Sequence, residues 1–168
     1  MEGERGMERR FEFQAQDRET LDRTLMGTSK IRNIVGYMGD DGILCLGQLK
    51  TLFGEPLYVS PNLEDQYAYC ILALDKDGKE VYLHVYSGPT GPAIGGKRDA
   101  ESTAAADELA ELITSAKASD YEYEGYYLDG PCVVRTGIRN GVPYSEEAEI
   151  PEEDFEKICE KVYGWNGK

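Results

Sequence analysis

A chain of 168 residues, 40% apolar and 30% charged, has the size and balance of one folded domain with a buried core. No apolar run approaches the roughly 18 residues that span a bilayer, and the start, Met1-Glu2-Gly3-Glu4-Arg5, lacks the apolar segment of a signal peptide. A net charge of −14 disfavours nucleic acid, whose phosphates demand the opposite sign; the expectation is a cytoplasmic protein with no membrane partner.

Residues 1–25 carry many charges and few apolar side chains, and no Gly/Pro turn chemistry organises them. They read as a flexible charged tail ahead of a single domain over 26–168, with Met26-Gly27 as an alternative start. Ile31 to Met38 is apolar without a clear period, and Gly39-Asp40-Asp41-Gly42 reads as a turn. Leu46, Leu49, Leu52 and Phe53 recur at helical spacing, which predicts a helix over 46–53 that Gly54 and Pro56 stop.

Gln66 to Asp75 is apolar on both alternating faces, the pattern of a central strand. Lys76-Asp77-Gly78-Lys79 predicts a type I′ hairpin turn, with Glu80 to Ser87 returning. Ser87 to Arg98 then packs four glycines, two prolines and a Lys-Arg pair into twelve residues. It is expected to be a shaped loop leading to an Ala-rich helix over 102–116. Strands follow at 121–128 and 132–138. Asn140-Gly141 supplies a second hairpin turn, leading to Tyr144 and 147–150. Pro151-Glu152-Glu153-Asp154 opens a last helix, with Phe155, Ile158, Cys159, Val162 and Tyr163 as its apolar stripe. The expected fold is α+β: a mainly antiparallel sheet of about five strands built from two hairpins, packed with three helices.

Cys45, Cys70, Cys132 and Cys159 are widely spaced, each in an apolar context. Buried reduced thiols are expected rather than disulfides or zinc ligands. Gly91 to Lys97 satisfies G-x-x-x-x-G-K, but Arg98 stands where a phosphate-binding loop has Ser or Thr, and Pro92 removes a backbone donor. A looser reading makes Gly88, Gly91, Gly95, Gly96, Lys97 and Arg98, with His84 and Tyr86 nearby, a site for a small anionic ligand. His84 is the sole histidine, and no serine sits in a nucleophile-elbow setting. No metal or cofactor is expected.

The charge is unevenly spread: residues 99–168 hold seventeen acids against six bases. Tyrosine is in excess, and Tyr121, Tyr123, Tyr126 and Tyr127 interleave with Glu122 and Glu124. Such a surface suits a basic protein partner, the acids steering association and the tyrosines anchoring it. The segment from Leu46 to Pro56, followed by a hairpin, resembles the helix-then-Gly-x-Pro openings of several small bacterial α+β families. The small, acidic α+β profile is similar in type to immunity proteins that neutralise bacterial toxins. That resemblance implies a non-enzymatic inhibitor of a basic toxin or effector. The alternative is a small-ligand binder or enzyme centred on the 87–98 segment.

Overall fold

The computed structural model describes residues 9–34, 41–59, 67–88, 91–127, 132–154 and 156–157. It is an α+β fold with two antiparallel sheets. In chain order the elements are β1 (Phe11–Ala15), α1 (Arg18–Thr24), β2 (Ser29–Asn33), α2 (Asp41–Phe53), β3 (Tyr58–Val59), β4 (Tyr67–Asp75), β5 (Glu80–Gly88), β6 (Gly91–Gly96), α3 (Ala100–Ser115), β7 (Tyr121–Tyr127), β8 (Cys132–Arg139) and β9 (Val142–Glu149).

The larger sheet runs β1-β4-β5-β6-β2, and β3 shares an edge of β4 with β1. Its centre is β4, buried along its first seven residues because both faces are covered. On one face Tyr67, Tyr69, Ile71, Leu83, Val85 and Ile94 form a core with Leu46 and Leu49 of α2 and Ala105, Ala106, Leu109 and Ile113 of α3. On the other face α1 lays its buried Leu21 over the Cys70 side of β4.

The expected flexible tail is therefore corrected over its second half. Phe11 pairs with Asp75 at the sheet edge and is 2% exposed. Glu108 of α3 accepts hydrogen bonds from the backbone of Arg10 and Phe11 at 3.1 and 2.9 Å. Asp17 caps α1, its carboxylate accepting from the Thr20 amide at 2.8 Å. Glu8, Arg9, Arg10 and Glu12 around two phenylalanines read as disorder, yet a short edge strand needs only its alternate residues apolar.

The expected loop 87–98 is also corrected. Gly91–Gly96 is a strand, paired with β5 on one side and β2 on the other. Glycine and proline argue against a strand by propensity. Here small residues suit the packing, because a Cβ at Gly96 would come within 3.1 Å of Ile31 and 3.2 Å of Leu83. The first hairpin turn differs too: Gly78 has φ +80° but Asp77 is not in the left-handed region. A type I′ turn needs both. Instead the Asp75 carboxylate accepts from the amides of Asp77 and Lys79, both at 2.9 Å, and widens the turn. At the second turn Asn140 and Gly141 both have positive φ, as a type I′ turn demands.

The smaller sheet is β7-β8-β9, and α2 joins it to the larger one. Gly47 allows this: a Cβ there would come within 2.9 Å of the Ala118 side chain and 3.1 Å of Ile138. Its carbonyl accepts from Ser119 N at 2.9 Å. The helix predicted over 46–53 begins five residues earlier, absorbing Asp41 and Gly42 from the expected turn. The helix expected over 102–116 is Ala100–Ser115, capped by Asp99. Cys45 and Cys70 are free and buried, and Cys132 is free and half-buried. Residues 152–154 and 156–157 are helical; the apolar stripe predicted beyond them lies outside the described residues. No helix among the described residues is long and apolar enough to cross a membrane.

Candidate functional site

Alternation along β5 places Tyr82, His84 and Tyr86 on the face that α1 covers, in register with Leu72, Cys70 and Ala68 of β4. His84 is 3% exposed. Its Nε2 lies 3.1 Å from Thr24 Oγ1, and Cys70 Sγ lies 3.9 Å from the same oxygen. Thr24 has one hydroxyl proton and donates it to the Thr20 carbonyl at 2.8 Å. The direction of the His84 contact is set by the imidazole tautomer; the ring nitrogen outside that contact is Nδ1. That atom is buried and meets no hydrogen-bond partner among the described residues. Burial holds the His84 imidazole below its usual range and pushes the Cys70 thiol up, so both groups are neutral at neutral pH. A neutral buried thiol is a poor nucleophile, and the pair does not form a catalytic dyad.

Two clefts of about 550 Å³ each open on this side of the sheet, separated by the chain after α1. One is lined by Arg18, Leu21, Ala68, His84, Tyr86 and Gly95. The other is lined by Arg23, Lys79, Tyr82, Lys97 and the start of α3. The residues expected to grip an anion together are thus divided. Lys97 lines the second cleft, while Arg98 turns the other way and donates from Nε to Ser29 Oγ at 2.8 Å. Gly88 and Gly91 face each other across the hairpin rather than forming a cradle. Of the expected set, His84, Tyr86 and Gly95 come together; Lys97 and Arg98 do not. Arg18 and Leu21 of the same cleft were missed because residues 1–25 read as a tail and only tertiary packing brings α1 over the sheet; Lys30 was missed because β2 has no strand pattern of its own.

The acidic, tyrosine-rich strand is β7. Tyr121 is half-buried, donates its hydroxyl to the Ile43 carbonyl at 2.9 Å and lies under Lys50, 5.1 Å from its ring centre. It belongs to the contact between the smaller sheet and α2 rather than to an open surface. Glu122 is exposed and faces the other way. It accepts from the Tyr144 hydroxyl at 2.6 Å and from Arg139 at 3.1 Å, and these two bonds lower its carboxyl pKa. Arg139 also reaches Glu146 at 3.2 Å and covers the Tyr144 ring at 3.8 Å. Tyr123, Glu124, Tyr126 and Tyr127 pair in register with Thr136, Arg135, Val133 and Cys132; their side chains lie outside the described residues. Tyr144, Arg139 and Glu146 were not anticipated, although the Asn140-Gly141 turn sets a register that puts all three on the Glu122 face.

On β9, Ser145 to Glu149 are all exposed, and no strand among the described residues pairs with its outer edge. Among the described residues no group of three or more His, Cys, Asp or Glu side chains is placed to hold a metal ion. No family model, curated protein or solved structure matches the chain.

Proposed function

We propose that this protein acts by binding a basic protein, as an immunity-type inhibitor of a bacterial toxin or effector, through the acidic edge presented by β9. The observation that supports this is a strand exposed on both faces. Glu146, Glu147 and Glu149 stand out along it, and the exposed Glu152 and Glu153 continue the charge. Residues 145–156 hold seven acids and no base. A strand usually buries one face against its own core; here burial would come from another chain. An open edge offers backbone hydrogen bonds to an added strand, and the one-signed charge steers a basic partner toward it. Tyr121 is committed to α2, while Tyr144, held between Arg139 and Glu122, joins Tyr123, Tyr126 and Tyr127 as an anchor.

The test is capture from lysate by the full chain, with elution by a salt gradient and identification by mass spectrometry. The expected result is a stoichiometric basic protein released at moderate salt. It should be lost or released earlier with Glu146→Gln/Glu147→Gln/Glu149→Gln, whose on-rate should fall about tenfold as steering is removed. The same proteins held by the triple variant with the same salt release would overturn the reading.

A further inference from the structure

Backbone register along β9 decides which peptide groups its outer edge presents, the edge that no described strand pairs. The Asn140-Gly141 turn is a two-residue hairpin loop with Arg139 opposite Val142, and the residues that flank such a loop exchange both ladder hydrogen bonds. Hydrogen-bonded and non-hydrogen-bonded pairs then alternate along the ladder. Tyr144, Glu146 and Ala148 bond inward to Gly137, Arg135 and Val133. Pro143, Ser145, Glu147 and Glu149 fall in the other set and turn their peptide groups away from β8. Pro143 checks the phase: it has no N–H and could not donate to Ile138 in the opposite one. Proline is tolerated on an edge strand with its nitrogen facing outward, and the outward donors are the amides of Ser145, Glu147 and Glu149.

The same residues carry the charge. Side chains alternate, so Ser145, Glu147 and Glu149 share one face of the strand, and Tyr144, Glu146 and Ala148 the other. All residues from Ser145 to Glu149 are exposed. Glu146 is held by Arg139 at 3.2 Å, whereas Glu147 and Glu149 meet no base among the described residues. A second copy of β9 added here would bring its own acids against these, which opposes pairing. A strand with a base at every second position sets one opposite each of Glu147 and Glu149 and accepts from the outward amides.

We propose that β9 takes an extended segment of its basic partner as an added antiparallel strand, with Lys or Arg at alternate positions facing Glu147 and Glu149. This rests on the acidic-edge reading and gives it a binding mode: the partner is held by backbone hydrogen bonds at Ser145, Glu147 and Glu149 as well as by charge. Antiparallel addition places each base directly opposite an acid. Pro143 at one end and the buried Ile150 at the other confine the added strand to the length of residues 145–149.

The full chain, labelled with ¹⁵N, is titrated with acetylated and amidated Lys-Val-Lys-Val-Lys. The amide resonances of Ser145, Glu147 and Glu149 are expected to shift saturably and gain protection from exchange. Those of Tyr144, Glu146 and Ala148, already bonded to β8, should move little. Methylating the backbone nitrogens of the lysines, which face β9 in the added strand, should weaken binding about tenfold. Methylating those of the valines, which face away, should leave it unchanged, and the charge is the same in both peptides. Glu147→Gln/Glu149→Gln, two changes at exposed positions, should weaken binding about fivefold. Equal binding of the two methylated peptides, with amide shifts that do not alternate, would overturn strand addition and leave the acidic edge as a surface read by charge alone. The absence of saturable binding would also overturn it. A peptide that adds as expected, beside a lysate capture that fails, would instead overturn the inhibitor reading and leave the strand site standing.

Discussion

A single imidazole decides much of the chemistry on the α1 face. His84 is neutral because burial disfavours its charged form, and its Nε2 meets Thr24 Oγ1 at 3.1 Å. The described groups it meets, Thr24 and Cys70, are neutral and cannot hold an imidazolium by charge. In the unfolded chain the same ring titrates near the usual value of about 6.5. The folded value is lower, so the unfolded state binds the extra proton first. Stability should be unaffected by this group above about pH 6.5 and should decline as pH falls from there toward the folded value. Urea unfolding at pH 7.5 and pH 5.5 would read this, since carboxylates titrate mainly below that window. A stability that does not fall between the two would mean that His84 accepts a proton in place. The residue scale is also where the sequence was least informative. A lone histidine between Tyr82 and Tyr86 showed which face it shares, but not that α1 would bring Thr24 against it.

At the scale of elements, the N-terminal β1-α1 unit is the main departure from expectation. It buries Phe11 at the edge of β4 and Leu21 against the α1-covered face of the sheet, and Arg10 reaches Glu101 of α3 at 2.6 Å. Burying each of these two side chains is worth about 1.5–3 kcal/mol. Its removal would also uncover one edge of β4 and the apolar Cys70 face. Deletion of residues 1–25 should therefore lower the melting temperature by more than about 10 °C, at about 2–4 °C per kcal/mol for a chain of this size. It should also promote association through the bared strand. Calorimetry and light scattering on the shortened chain would check this; an unchanged melting temperature would mean that the unit only rests on the sheet. The five strands read from alternation and turn residues, β4, β5, β7, β8 and β9, are all present. Those not read, β1, β2, β3 and β6, are edge or Gly/Pro-rich pieces whose strand character comes from their partners.

Across the whole molecule, charge and architecture are distributed differently. The helices α2 and α3 and the larger sheet hold the core, while the excess of acids lies toward the C-terminal sheet. A net charge of −14 repels itself in the compact state. On the smaller sheet Arg139 pairs with both Glu122 and Glu146. Raising ionic strength from 0.01 to 0.15 M shortens the Debye length from about 30 to about 8 Å. The melting temperature should therefore rise by a few degrees, as screened repulsion outweighs weakened exposed pairs. A fall would show that the ion pairs dominate.

Periodicity and turn chemistry were enough to establish the α+β class, the central strand, the Asn140-Gly141 hairpin and the separation of an acidic C-terminal region. Each is encoded within a few neighbouring residues. The places of Phe11, Gly47, Gly96 and His84 were decided only when distant segments met. What a side chain buries, how close two backbones come and which polar groups meet are properties of contacts between elements, and no local pattern carries them.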